Sequence, residues 1–85
     1  MKKTYDEILQ QLKLLVEEQT LGNITTEIIS DESRMREELT LDSLDYASIF
    51  LGGEKWLNIK VREEGINWAQ VQTIGQLAKL FENAQ

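Results

Sequence analysis

Apolar residues recur at helical spacing in separate stretches of the chain, and the polar residues around them mark where each stretch begins and ends. Tyr5, Ile8, Leu9, Leu12, Leu15 and Val16 fall on one face of a helix predicted over residues 4 to 19, with Leu14 off that stripe. Thr4 and Glu7 stand at capping-box spacing, and Asp6 and Glu7 put negative charge in the first turn, where the helix dipole favours it. Gln10, Gln11, Lys13, Glu17 and Glu18 form the solvated face. Leu21-Gly22-Asn23 ends the helix, with Gly or Asn available for a left-handed cap.

From Asn23 to Leu41 the periodicity is weak, which predicts a long connection with at most one helical turn around Ser33 to Glu38. So long a loop in a small domain is expected to be pinned to the core, and Ile24, Ile28, Ile29, Met35, Leu39 and Leu41 are the anchors available. A second helix is predicted from Ser43 to about Leu57, with Asp42 as its N-cap. It carries two apolar stripes. Tyr46, Ile49, Phe50, Gly53 and Leu57 form a core face, while Leu44, Ala47 and Leu51 lie on another face. That second stripe is either a partner surface or a face covered by the 23–41 loop.

Gly52 and Gly53 lie inside this helix, where each costs about 1 kcal/mol relative to Ala. Some packing gain should offset that, and a ring such as Trp68 filling the space at Gly53 is the expectation, an open pocket the alternative. Lys60 to Glu64 reads as a charged connector and Gly65 as a turn, and Asn67 is a candidate cap for a short helix holding Trp68, Ala69 and Val71. Thr73 and Gln76 repeat the capping-box spacing, and Ile74, Leu77, Ala78 and Phe81 give one apolar face of a last helix to about Asn83. The expected fold is therefore all-α, a single domain over residues 1–85: a small four-helix bundle of three main helices and one short one, with a long first loop.

Composition narrows the chemistry. A chain of 85 residues buries only about 60 to 65 % of its unfolded surface, which leaves little room for an enclosed catalytic cleft. It contains no cysteine and no histidine, so thiolate sites, disulfides and the commonest general base are absent. The net charge of −6 argues against nucleic acid and for basic protein surfaces as partners. Lys2 and Lys3 precede no signal-type apolar segment, and no run approaches a membrane span, so the expectation is a cytoplasmic, monomeric protein without membrane insertion. Asp31, Glu32, Glu37 and Glu38 read as a solvated acidic face and match no EF-hand loop.

Leu41-Asp42-Ser43-Leu44-Asp45 is the candidate site. Ser43 begins a helix, so a phosphate on its hydroxyl would meet unpaired first-turn N–H groups and the positive end of the dipole. It has no adjacent His or Lys to make it a nucleophile, and Asp42 with Asp45 lacks the desolvating pocket that paired catalytic carboxylates need. An enzyme is not expected. Taken alone, these residues also fit an ordinary first-turn serine.

The sequence resembles the acyl carrier protein family. The resemblance rests on Asp42-Ser43-Leu44-Asp45, which stands like the family's attachment motif at the start of its second helix. It extends to Met35 and Leu39, to Ile49, Phe50 and Leu57, to Val61 and to Thr73, and so covers nearly the whole chain. It implies a non-catalytic carrier that holds an acyl, aminoacyl or polyketide intermediate as a thioester on a 4'-phosphopantetheine arm attached to Ser43, beside Asp42. It also implies that Leu44, Asp45, Ala47, Leu51 and Glu54 contact partners: a phosphopantetheinyl transferase, a loading enzyme and downstream synthases or transferases. Thr40 stands where the family usually has glycine, and Ser48, Lys55 and Trp56 make the second helix less acidic than in fatty-acid carriers. Those departures point to a specialised pathway. The competing expectation is a helical interaction module without a prosthetic group, docking through its two-striped helix.

Overall fold

The computed structural model describes residues 2–85. Helix α1 (Tyr5–Gln19) starts where its sequence cap predicts: Thr4 Oγ1 accepts from the Glu7 N–H at 3.2 Å, and Glu7 Oε1 accepts from the Thr4 N–H at 2.9 Å. Ile8, Leu12 and Val16 are fully buried along it, while Tyr5, Leu9 and Leu15 are half-buried at the border of that stripe. The helix ends through two successive left-handed residues, Leu21 (φ 54°) and Gly22 (φ 81°), and Gly22 N–H donates to Glu17 O at 2.9 Å. Gly22 takes the expected conformation; Leu21 joins it instead of Asn23, and is left 91 % exposed.

Residues 23–41 form the expected pinned loop, with a single 3-10 turn (Thr26–Ile28) and one α-type turn in which Glu38 N–H donates to Arg34 O at 3.0 Å. Ile29, Met35, Leu39 and Leu41 are buried anchors and Ile24 is half-buried. Ile28 is not an anchor; it is 67 % exposed. The reason is geometric: Ile28 is the last residue of the 3-10 turn and Ile29 the first of the extended backbone after it, so the two side chains leave the chain in different directions and only Ile29 faces inward.

Backbone hydrogen bonds pin the loop as firmly as its apolar side chains do. It runs antiparallel to the start of helix α3 (Ile74–Ala84), bridging Arg34 to Thr73. Gly75 N–H donates to Asp31 O at 2.8 Å, Ile74 N–H to Ser33 O at 3.1 Å, and Met35 N–H to Gln72 O at 2.9 Å. Two first-turn donors of α3 that have no acceptor inside the helix thus find one in the loop. Gly75 permits this approach, since a Cβ there would lie 2.7 Å from Asp31 O. The α3 cap is the Thr73–Gln76 box read from the sequence.

Helix α2 (Ser43–Leu57) ends at Asn58 in a left-handed cap (φ 55°). Helix α1 packs against both α2 and α3. Both interior glycines of α2 serve close approach. A Cβ at Gly52 would come 2.8 Å from Leu15 Cδ2, and one at Gly53 would come 2.8 Å from Phe81 Cζ. The ring against Gly53 is therefore Phe81, not Trp68: the Phe81 side chain reaches from α3 to that point, whereas Trp68 lies farther along the face of α2, its centroid 5.8 Å from Tyr46 and 5.5 Å from Phe50.

The fold is a small all-α bundle, and the isolated bridge is the only β-pairing among the described residues. The short fourth helix expected after Asn67 is a single 3-10 turn (Trp68–Gln70), and the Asn67 side chain does not cap it. No helix among the described residues is long and apolar enough to cross a membrane.

Candidate functional site

Ser43 is the first residue of α2 and is exposed. Its two acidic neighbours close a reciprocal cap: Asp42 Oδ1 accepts from Asp45 N–H at 2.8 Å, and Asp45 Oδ2 accepts from Asp42 N–H at 3.2 Å. Asp45 Oδ1 also accepts from Gln19 Nε2 at 3.0 Å, which ties the start of α2 to the end of α1. The Gln19 amide, followed by the Asp42 N–H, holds the Asp45 carboxyl below its ordinary range. The two carboxylates thus fix the helix terminus, and the first-turn N–H groups beside Ser43 have no acceptor within the helix.

The second stripe of α2 is open. Leu44 is 77 % and Leu51 55 % exposed, and Ala47 is exposed between them. The 23–41 loop does not cover this face, because it is drawn away to α3 by the hydrogen bonds described above. Glu54, a turn farther on, is half-buried, and its Oε2 accepts from Val61 N–H at 2.8 Å, fastening the start of the connector to α2.

A cleft of ≈ 830 Å³ opens between this part of α2 and residues 60–72. Ser43, Tyr46, Ala47, Phe50, Leu51 and Glu54 line one wall, at the 3- and 4-residue spacing of a single helical face. Val61, Trp68 and Val71 line the other, with Met35 and Leu41 from the loop. Trp68 meets Tyr46 edge-on (84°) and Phe50 at 69°, while Phe50 continues to Phe81 at 5.1 Å, so the aromatic wall of the cleft is continuous with the core. The Tyr46 hydroxyl is buried with no protein hydrogen-bond partner, and burial pushes its pKa up to about 12.

The structure thus brings together Asp42, Ser43, Ala47, Leu51 and Glu54 of the sequence-derived set in one cleft lining, with Leu44 and Asp45 on neighbouring positions of the same helix. Tyr46 and Phe50, on the core face of the sequence pattern, and Trp68, its expected gap filler, are also walls of this cleft. The signal was present in the spacing, since positions 43, 46, 50 and 54 share a face. Asp31, Glu32, Glu37 and Glu38 are exposed, as expected, and no cluster of metal-ligating side chains occurs among the described residues. Comparison of the chain with protein-family models, with curated proteins and with solved structures finds no significant match.

Proposed function

We propose that the protein is a non-catalytic carrier, which holds an acyl intermediate as a thioester on a 4'-phosphopantetheine arm attached to Ser43 and presents it to partner enzymes. The observation that carries this reading is the position of Ser43: exposed, first in a doubly capped helix, and on the lining of a cleft. A phosphodiester on Ser43 fits there, because the adjacent first-turn N–H groups and the helix dipole favour its charge. When bound, the arm supplies the thiol that a chain without cysteine lacks.

The residues around Ser43 do the remaining work. Asp42 and Asp45 hold the helix terminus in place and keep negative charge beside the attachment point, where it attracts basic partner surfaces. Leu44, Ala47 and Leu51 offer an apolar docking surface to a phosphopantetheinyl transferase, a loading enzyme and downstream synthases. The weakly acidic α2, with Ser48, Lys55 and Trp56, supports a dedicated pathway over general fatty-acid synthesis. The same open stripe also supports a second reading, a helical interaction module with no prosthetic group.

Intact-mass analysis separates the two. After incubation with coenzyme A and a broad-specificity phosphopantetheinyl transferase, the carrier gains one phosphopantetheine and Ser43→Ala gains none. An unmodified wild-type chain, under conditions that modify a control carrier, would leave the interaction module as the better reading.

A further inference from the structure

Leu21 is the most exposed large apolar side chain among the described residues, at 91 %, and its backbone is left-handed. That conformation suits glycine or asparagine at a helix end and is costly for leucine, whose Cβ crowds the following carbonyl. A side chain so exposed gains almost no burial to offset the cost. Backbone strain kept without a structural return is characteristic of functional positions.

The surroundings of Leu21 say what meets it. Gln19 Nε2 donates to Asp45 Oδ1 at 3.0 Å, so the end of α1 meets the start of α2. The lengths of those two side chains, with two chain steps on either side, keep the Cα atoms of Leu21 and Ser43 within about 26 Å. A standard protein interface, ~800 Å² on each partner, is roughly 30 Å across, so one footprint spans both. The charge at this end has a single sign. No lysine or arginine lies between Lys13 and Arg34 or between Arg36 and Lys55, whereas Glu17, Glu18, Asp42 and Asp45 flank the junction. Thr26 N–H donates to Glu17 Oε1 at 2.9 Å, which brings the turn that carries Glu27 to the same end. Arg36 and Lys60 line the cleft, and Leu21 does not.

We infer that the docking surface for the enzyme that modifies Ser43 crosses from α2 onto the end of α1: Leu21 enters an apolar pocket of a phosphopantetheinyl transferase, and lysine or arginine side chains around that pocket face Glu17, Glu18 and Glu27. The inference rests on the carrier reading, which makes Ser43 the point that such an enzyme must reach. Complementary charge draws a basic rim to this end and repels an acidic one. A second copy of the chain fits poorly, since two such ends set carboxylates against carboxylates.

Steady-state modification of the full chain by a broad-specificity phosphopantetheinyl transferase and coenzyme A, followed by intact mass, tests this in the wild type, Leu21→Asn, Leu21→Lys and Leu14→Ala. Asparagine accepts the left-handed backbone, so Leu21→Asn removes the apolar side chain and keeps the fold, as its melting temperature checks. The KM for the chain should rise about tenfold in Leu21→Asn with kcat unchanged, the loss of one leucine contact, and should rise further in Leu21→Lys. Leu14→Ala, on the same helix but away from its end, should match the wild type. An unchanged KM in Leu21→Asn, an equal rise in Leu14→Ala, a Leu21→Lys no worse than Leu21→Asn, or a loss confined to kcat overturns the inference, while the adduct on Ser43 keeps the carrier. An unmodified wild type beside a modified control carrier removes the carrier reading and this occupant together. Self-association of the wild type that disappears in Leu21→Asn, measured by sedimentation, gives the surface to a second copy and overturns the inference as well.

Discussion

Phe81 and Trp68 are both large rings set against α2, and their surroundings are opposite. Phe81 has no exposed surface, touches Phe50 and presses on the bare backbone at Gly53. Trp68 belongs to a one-turn helix on a connector, meets α2 edge-on and leaves more than a third of its surface open. The first side of α2 is closed because a glycine leaves room for the Phe81 ring, which a Cβ would meet at 2.8 Å. The second side is open because the face that begins at Ser43 carries full-sized residues, Tyr46, Phe50 and Leu51, and the segment opposite is fastened to α2 near one end by Glu54. One helix therefore serves as core on one side and as the wall of a cleft on the other.

Substitution of the two rings breaks or sharpens that contrast. Phe81→Ala should cost about 3–5 kcal/mol, enough to leave the chain close to unfolding, whereas Trp68→Ala should cost about 1–2 kcal/mol because much of its surface is already in water. Urea denaturation measures both. Equal losses would mean that the connector is packed as tightly as the core, and the contrast would be lost.

A smaller effect is expected in the loop that leads into α2. Thr40 adopts φ 53°, a left-handed conformation that is strained for a β-branched residue, and its hydroxyl donates to the Leu39 carbonyl at 2.7 Å. Thr40→Gly should raise stability by about 0.5–1 kcal/mol, the relief of left-handed strain less the added freedom of the unfolded chain, as read from the melting temperature. A loss instead of a gain would mean that the Thr40 side chain contributes more than its backbone strain costs.

The last effect is invisible at neutral pH. The Tyr46 hydroxyl is held up to about 12 by burial, against an ordinary value of 10.0, so the folded state keeps a proton that the unfolded state releases first. Its contribution is fully present below pH 10.0 and is lost as pH rises through about 12. Tyr5 is raised in the same direction, by burial and then by the charge of Asp31, so the difference between the wild type and Tyr46→Phe is the measurement that matters. Wild-type stability should fall more steeply than that of the variant above pH 10.0. Parallel curves would place the Tyr46 hydroxyl in water.

What was legible in the sequence was local. The caps at Thr4, Asp42 and Thr73 each involve residues three positions apart, and the apolar stripes are a property of helical spacing, so helix positions and most of the core followed. The ring that meets Gly53 was not legible, because a gap on one helix does not specify which of several distant rings fills it. Ile28 and Ile29 are alike in composition, and only the end of the 3-10 turn at Ile28 decides which faces inward. The cleft depends on where residues 60–72 run, a path set by the Glu54 hydrogen bond to Val61 and by ring contacts across long separations. Ser33, buried with its hydroxyl accepting from the Ser30 N–H at 2.9 Å, was invisible for the same reason.

The seam between the 29–35 loop and α3 bears on kinetics as well as architecture. In an isolated helix the Ile74 and Gly75 amides exchange with solvent at nearly the rate of an unstructured chain, since the first turn has no internal acceptors. Here their hydrogens are held by the carbonyls of Ser33 and Asp31, some forty residues earlier in the chain. Deuterium uptake at those two amides thus reports the lifting of the loop, separately from fraying of α3, and gives the opening free energy of the segment that leads to Ser43.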